Sequence, residues 1–119
     1  MQRTILWSIT LGAAAALSLG VAVAQRTAAS SAVAHGRQLF VADGCPQCHG
    51  HVGEGGVGPR IAPSPMPIES FTHQLRHPAG VMAVYTAAVL PDADLKDIYA
   101  YLSSIPQAKT VAELPLLNQ

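Results

Sequence analysis

Two cysteines three residues apart, followed at once by a histidine, are the residues of this sequence best suited to chemistry. They are Cys45, Cys48 and His49 in the stretch CPQCH, and the 119-residue chain contains no other cysteine. Thiols and an imidazole at this spacing occur in four kinds of site: a redox dithiol, a disulfide, half of a zinc site, or the covalent attachment point of a haem. The rest of the sequence has to decide between them.

The redox, zinc and disulfide interpretations fit the rest of the chain poorly. A thioredoxin-like dithiol belongs in a strand–helix–strand unit, whereas the apolar periodicity of this sequence is helical. A closed zinc site needs four ligands, and there is no second pair of cysteines. A disulfide that spans only two intervening residues is strained and stabilises a fold little.

The C-x-x-C-H pattern is typical of the attachment site of a c-type haem. Each thiol adds to one vinyl group of the haem to form a thioether, and two intervening residues let a helical turn span the two vinyls. The next residue, His49, then faces the iron. The pattern therefore favours one haem, held covalently by Cys45 and Cys48.

Three helices and two long loops are predicted around this motif, and no strand. The helices are expected over residues 30–44, 67–78 and 91–106, where apolar residues recur at three- and four-residue intervals and Gly or Pro marks the ends. Residues 50–67 are rich in Gly and Pro, and residues 79–90 favour a loop. The fold class is therefore all-α, and loops this long need a surface to pack against.

The N-terminal block has the layout of a secretory signal peptide. Arg3 precedes an apolar run from Ile5 to Ala24, which ends in the small-x-small pattern of a cleavage site. A run of about 20 residues is also long enough to span a bilayer if it is retained. Residues 1–24 are therefore predicted to be a signal peptide or an uncleaved anchor, and the remainder is expected to be exported to the periplasm.

Behind this leader the chain is predicted to divide into a linker over residues 25–31, a domain over residues 32–106 and a tail over residues 107–119. Ser31 is the candidate N-cap of the first helix. Arg3 is the one charged residue of the leader, so six basic side chains then face seven acidic ones. This balance provides no basic surface for nucleic acid, and no nucleic-acid partner is expected.

Residues 34–106 resemble a class I monohaem c-type cytochrome of the short bacterial type. The matching pieces are HGRQLFVADGCPQCHG, GVGPRI, VMAVY and LPDADLKDIYAYLSSIP, in the order of that family. The resemblance implies the cytochrome c fold, with short helices wrapped around one covalently bound haem and the first and last helices crossing. It also implies that Gly36 and Phe40 pack closely against the last helix at that crossing.

The same resemblance implies a set of residues around the haem. His49 would be the proximal iron ligand, and the carbonyl of Pro59 would accept its ring N–H, which fixes the tautomer of the ligand. Ile61 would pack on the haem face. Met82 would be the distal iron ligand, and Tyr85 would hydrogen-bond a haem propionate.

A second methionine competes for the distal position. Met82 lies in Met-Ala-Val-Tyr, where Ala83 replaces the proline common in the family, and Pro91 replaces the usual Ser or Thr cap of the last helix. Met66 does precede a proline, but it follows Pro59 too closely to reach the opposite haem face. Met66 is therefore interpreted as a filler of gaps in the core, as methionine often is.

The resemblance implies a carrier of single electrons between redox partner proteins, with one haem c as cofactor, and not an enzyme. Two alternatives stay open at this point. One is a haem subunit of a periplasmic dehydrogenase or oxidase complex, and the other is a haem sensor or enzyme with an open coordination site. Arg60 and Arg76 are further candidates for contact with the haem propionates, and a solvated surface position is the equally favoured alternative for both.

Overall fold

The computed structural model describes residues 25–63 and 65–114. The chain divides into two compact units after Ser31. Residues 25–31, the described part of the first unit, are helical. The second unit consists of helices joined by long loops, and no strand occurs in the part of the chain that the structure describes. The all-α prediction is confirmed.

The helices of the second unit are α1, which covers residues 32–42, α2 (Pro46–His49), α3 (Ile68–Arg76) and α4 (Asp92–Ser104). A 3₁₀ turn, Val111–Glu113, follows within the predicted tail. The loop between α2 and α3 and the loop between α3 and α4 carry most of the predicted site residues.

α3 forms because its ends are marked and one of its faces is apolar. Glu69 places a carboxylate in the first turn, where the helix dipole favours negative charge. Phe71 and Leu75 lie four residues apart on one face, and both are buried. His77 has left helical geometry with φ −136°, as expected for the residue before Pro78.

α4 follows the same logic over a longer stretch. Asp92 and Asp94 lie in its first turn, where carboxylates interact favourably with the helix dipole. The helix ends at Ile105, whose backbone is extended with ψ 124° and which precedes Pro106. The buried face of α4 consists of residues at helical spacing, namely Leu95, Ile98, Tyr101 and Leu102.

α1 and α4 cross at Gly36. A Cβ atom added to this glycine would overlap the carbonyl of Asp97 and lie 2.8 Å from the backbone nitrogen of Ile98. Only glycine therefore lets the two backbones approach so closely. One turn further along α1, Phe40 is fully buried, and its ring centroid lies 5.6 Å from that of Tyr101. The crossing of the first and last helices is present as expected.

The buried side chains of the second unit form one cluster that joins α1, α3, α4 and both long loops. α3 contacts α4 through Phe71 and Tyr99, whose ring centroids are 5.4 Å apart. Several predicted site residues are partly buried against this cluster, namely Cys45, Ile61, Met82 and Tyr85. The members of the cluster are Phe40, Ala62, Phe71, Leu75, Leu90, Leu95, Ile98, Tyr101 and Leu102.

The predicted start of the first helix is wrong. Residues 25–31 are already helical, so Ser31 does not cap the helix, and its Oγ donates to the carbonyl of Ala28 at 2.8 Å. The predicted leader, residues 1–24, lies outside the described residues. Within the described part of the chain, no helix has both the length and the apolar character needed to cross a membrane.

Candidate functional site

The Cys-x-x-Cys-His motif occupies a single short helix. The chain turns after α1 at Gly44, whose φ of +78° favours glycine. Pro46 then begins α2, and the amide of His49 donates to the carbonyl of Cys45 at 3.0 Å. Both cysteines are free thiols; Cys45 is half-buried and Cys48 is exposed. This single turn therefore presents two thiols and one imidazole from adjacent positions, as attachment of a haem requires.

His49 is buried, and its ring is held in one orientation. Its side chain retains 8% exposure, and Nδ1 lies 2.8 Å from the carbonyl oxygen of Pro59. A carbonyl can only accept a hydrogen bond, so Nδ1 must carry the hydrogen. The neutral ring then has its lone pair on Nε2, the atom available to a metal. This is the contact that the resemblance implied for Pro59.

The loop between α2 and α3 is tied to the histidine at several points. The amide of Gly58 donates to the carbonyl of Cys48 at 2.8 Å, and the amide of Gly55 donates to the carbonyl of His49 at 2.8 Å. A Cβ on Gly58 would lie 3.1 Å from the His49 ring, so a side chain there would crowd the imidazole. These bonds return Pro59 to the ring and fix its carbonyl.

Glu54 stabilises the start of this loop. Its carboxylate accepts the amide of Val52 at 2.8 Å and the amide of His51 at 3.2 Å. These hydrogen bonds, that from Val52 first, hold the pKa of the Glu54 carboxyl below its usual value of 4.5. The carboxylate is the form that accepts both bonds, so the loop is best held when Glu54 is ionised.

We expect Glu54→Ala to destabilise the protein at neutral pH and to matter less in acid. A carboxyl whose pKa is lower in the folded state contributes stability above its unfolded pKa, and that contribution is lost as the pH falls through the folded pKa. The difference in urea midpoint between wild type and variant should therefore be largest near neutrality and shrink below the usual value of 4.5. Glu54→Gln keeps one acceptor oxygen, so its urea midpoint should lie between those of the wild type and Glu54→Ala. An unchanged difference in acid would contradict this role.

Tyr85 connects the loop between α3 and α4 to the attachment motif. Its hydroxyl donates to the carbonyl of Asp43 at 2.8 Å and also contacts the thiol of Cys45. Burial, followed by the charge of Asp43, raises the pKa of Cys45 to about 11. Burial likewise raises the pKa of Tyr85. The one hydroxyl hydrogen of Tyr85 is thus donated to Asp43, and the propionate contact that the resemblance implies stays a prediction.

The two candidate methionines lie in different surroundings. Met82 is half-buried against the core, and the side-chain nitrogen of Gln74 lies 3.9 Å from its sulfur. Met66 is 44% exposed, so it does not fill the core as the sequence interpretation expected. Met82 and Tyr85 share the loop between α3 and α4, and Tyr85 contacts Cys45. The structure therefore brings the loop that carries Met82 to the attachment motif.

Arg76 contacts three residues of the chain that follows α3. Its guanidinium donates to the carbonyl of Tyr85 at 2.5 Å and to the carbonyl of Leu90 at 2.9 Å. It also pairs with Asp92 at 2.6 Å. The residue therefore holds the chain between α3 and α4, and its contact with a haem propionate stays one of two predictions. Nothing in the local sequence around Arg76 indicates these partners.

The residues present fit a covalently bound haem. With Nδ1 of His49 bonded to Pro59, Nε2 is the ring nitrogen left for a metal, and Cys45 and Cys48 are free thiols on the same turn. Val57 and Val81, which are 91% exposed and fully exposed, lie on the two loops that carry Pro59 and Met82. Exposed apolar side chains on both loops are what a large flat apolar group would cover.

The chain matches the family model described as cytochrome c oxidase, cbb3-type, subunit III, over residues 31–102. The match covers more than half of the chain and includes every predicted site residue. The chain belongs to this family. No curated protein and no solved structure matches it.

The c-type cytochrome domain accounts for the main features of the site. Its family implies covalently bound haem and haem-based electron transfer. The all-helical architecture and the crossing of α1 and α4 are those expected of a cytochrome c fold. The identification of the individual haem contacts, Met82 above all, stays a prediction.

Proposed function

We propose that this protein is an exported electron carrier with one haem c, joined by thioethers to Cys45 and Cys48. His49 and Met82 are the axial ligands of its iron, and single electrons pass between redox partner proteins through the exposed haem edge. Bound haem supplies one-electron chemistry at its iron, and the chain sets the ligands and the surroundings of that iron.

The hydrogen bond from His49 Nδ1 to the Pro59 carbonyl supports this proposal most directly. It fixes the tautomer that leaves Nε2 unprotonated, and it comes from a loop anchored on the backbone of Cys48. A histidine held in this way is a ligand prepared for a metal. The two free thiols on the same helical turn distinguish His49 from a histidine that is buried for packing alone.

A subunit of a respiratory oxidase complex is the second candidate. Membership of a family described as cytochrome c oxidase, cbb3-type, subunit III, favours it. The predicted N-terminal leader, if retained, would hold the domain at the membrane where such a complex lies. Native purification from the source cells separates the two candidates, since a carrier elutes alone and a subunit co-purifies with stable partners.

Mass and optical spectra of the purified wild-type protein test the proposed function. We expect an intact mass greater than that of the processed chain by one haem, because thioethers survive denaturation. The spectrum should be low-spin in both oxidation states, and reduced protein should combine with carbon monoxide slowly. A mass equal to that of the bare chain would contradict haem attachment. A high-spin spectrum with fast carbon monoxide binding would instead indicate a sensor or enzyme with an open site.

A further inference from the structure

The last turn of α3 lies against the loop that carries Met82. The carbonyl of Leu75 accepts the amide of Tyr85 at 2.9 Å. The amide nitrogen of Gln74 approaches the sulfur of Met82 at 3.9 Å. Arg76, the next residue along this turn, donates to two carbonyls of the loop. Three consecutive residues of one helix therefore support a segment that has no regular structure of its own.

Arg76 contacts three residues of the chain that follows α3, nine, fourteen and sixteen residues further on. Nη1 donates to the carbonyl of Tyr85, and Nη2 donates to the carbonyl of Leu90 and pairs with Asp92. The side chain of Arg76 is only 16% exposed, whereas that of Asp92 is 71% exposed. An ion pair with so exposed a partner contributes little. The two carbonyl contacts, made from a largely buried guanidinium, are therefore the stronger part of the arrangement.

The guanidinium fork suits this task better than an ammonium group would. Its donors lie in a fixed plane and can reach two acceptors at once, whereas lysine presents a single flexible point charge. The two carbonyls lie on the C-terminal side of Met82, one three residues beyond it and the other next to the start of α4. Fixing both carbonyls limits the movement of residues 85–90, the part of the loop that begins three residues after Met82.

We propose that Arg76 is a positioning residue that holds Met82 on the iron, acting through the backbone of the Met82 loop. The inference rests on the proposed function, because it takes Met82 as the distal ligand. Arg76 does not touch the iron or its ligand. It lowers the population of states in which the loop has moved away and the sixth coordination position is free.

Imidazole added to the oxidised, haem-loaded protein measures that population. It binds iron only when Met82 has left, so its apparent affinity is the intrinsic affinity multiplied by the fraction of open protein. We expect Arg76→Gln to raise the apparent affinity about tenfold, which corresponds to about 1.4 kcal/mol and to the net value of roughly one hydrogen bond. Arg76→Lys should give a smaller increase, because lysine can reach one carbonyl but not both.

Three controls separate positioning from a general loss of stability. Arg37→Gln removes an exposed arginine of α1 and should leave imidazole affinity unchanged. Asp92→Ala removes the ion pair but keeps both carbonyl contacts, and should have a smaller effect than Arg76→Gln. Met82→Ala should bind imidazole most tightly, because no ligand has to be displaced.

The outcomes distinguish failure of this inference from failure of the proposed function. Tight binding by Met82→Ala together with wild-type affinity in Arg76→Gln would overturn the role of Arg76 alone. Equal affinity in Met82→Ala and wild type would overturn Met82 as the ligand, and the inference with it. If Arg76→Gln does not accumulate with haem, Arg76→Lys decides the question: raised affinity supports the role and wild-type affinity overturns it.

Discussion

Replacing Gly36 with alanine should lower the free energy of unfolding by about 3 kcal/mol or more, at the upper end of overpacking in a core. The added Cβ would overlap the carbonyl of Asp97 and lie 2.8 Å from the backbone nitrogen of Ile98. Both are main-chain atoms of α4, so no side-chain rotation can relieve the contact. α1 and α4 would have to separate, and the buried contact between Phe40 and Tyr101 would loosen with them.

Gly80→Ala is the matched control for this substitution. Gly80 is also a glycine of the second unit, but a Cβ added to it would meet no atom within 4 Å. Its φ is +68°, a left-handed backbone conformation that costs a residue with a side chain about 1–2 kcal/mol. The free energy of unfolding of the variant should fall by that amount only. Urea unfolding of the haem-loaded proteins measures both values. Equal losses in the two variants would show that the crossing tolerates separation of the helices.

The helices that could be predicted are those specified by their own residues. α4 was expected over residues 91–106 and runs from Asp92 to Ser104. Its dipole-compatible carboxylates, its apolar period and its flanking prolines all lie within the segment itself. The same holds for α3. Gly36 is different, because a glycine within a helix indicates a close contact without naming the partner, and only the family resemblance identified α4.

Ser31 shows where local information was insufficient. A serine before an apolar run is a common N-cap, yet residues 25–31 are helical. The preceding segment includes Ala28 and Ala29, and alanine is the strongest helix former. The two tendencies oppose each other in the sequence, and no local rule states which is larger. The error in the start of the helix has little effect on the proposed site, because α1 contacts α4 at Gly36 and Phe40.

The proximal half of the site was more predictable than the distal half. Cys45, Cys48 and His49 lie within five consecutive residues, so one pattern contains the predicted attachment points and the predicted proximal ligand. The support of the distal loop depends on contacts across the chain: Arg76 binds carbonyls nine and fourteen residues away. Every residue type has a backbone carbonyl, so residue identities in the sequence do not indicate which carbonyls an arginine will bind.

We expect Met82→Ala to lower the reduction potential on the order of 0.2 V, a fraction of the about 0.8 V over which axial ligands move haem potentials. A thioether is a weak donor that favours the reduced iron, so its loss favours the oxidised state. The weak long-wavelength Met–iron charge-transfer band of the oxidised protein should disappear in the same variant. Potentiometric titration and the absorption spectrum of the oxidised protein measure the two effects.

Met66→Ala provides the control, because it removes the same chemical group from a different place. Met66 is 44% exposed, whereas Met82 is half-buried in the loop that contacts the Cys45 turn through Tyr85. The control variant should therefore keep both the band and the wild-type potential. A band lost in Met66→Ala but kept in Met82→Ala would move the distal ligand to the loop before α3. The Tyr85 contact with Asp43 would then hold a loop with no ligand on it, and the contacts of Arg76 would stabilise only the fold.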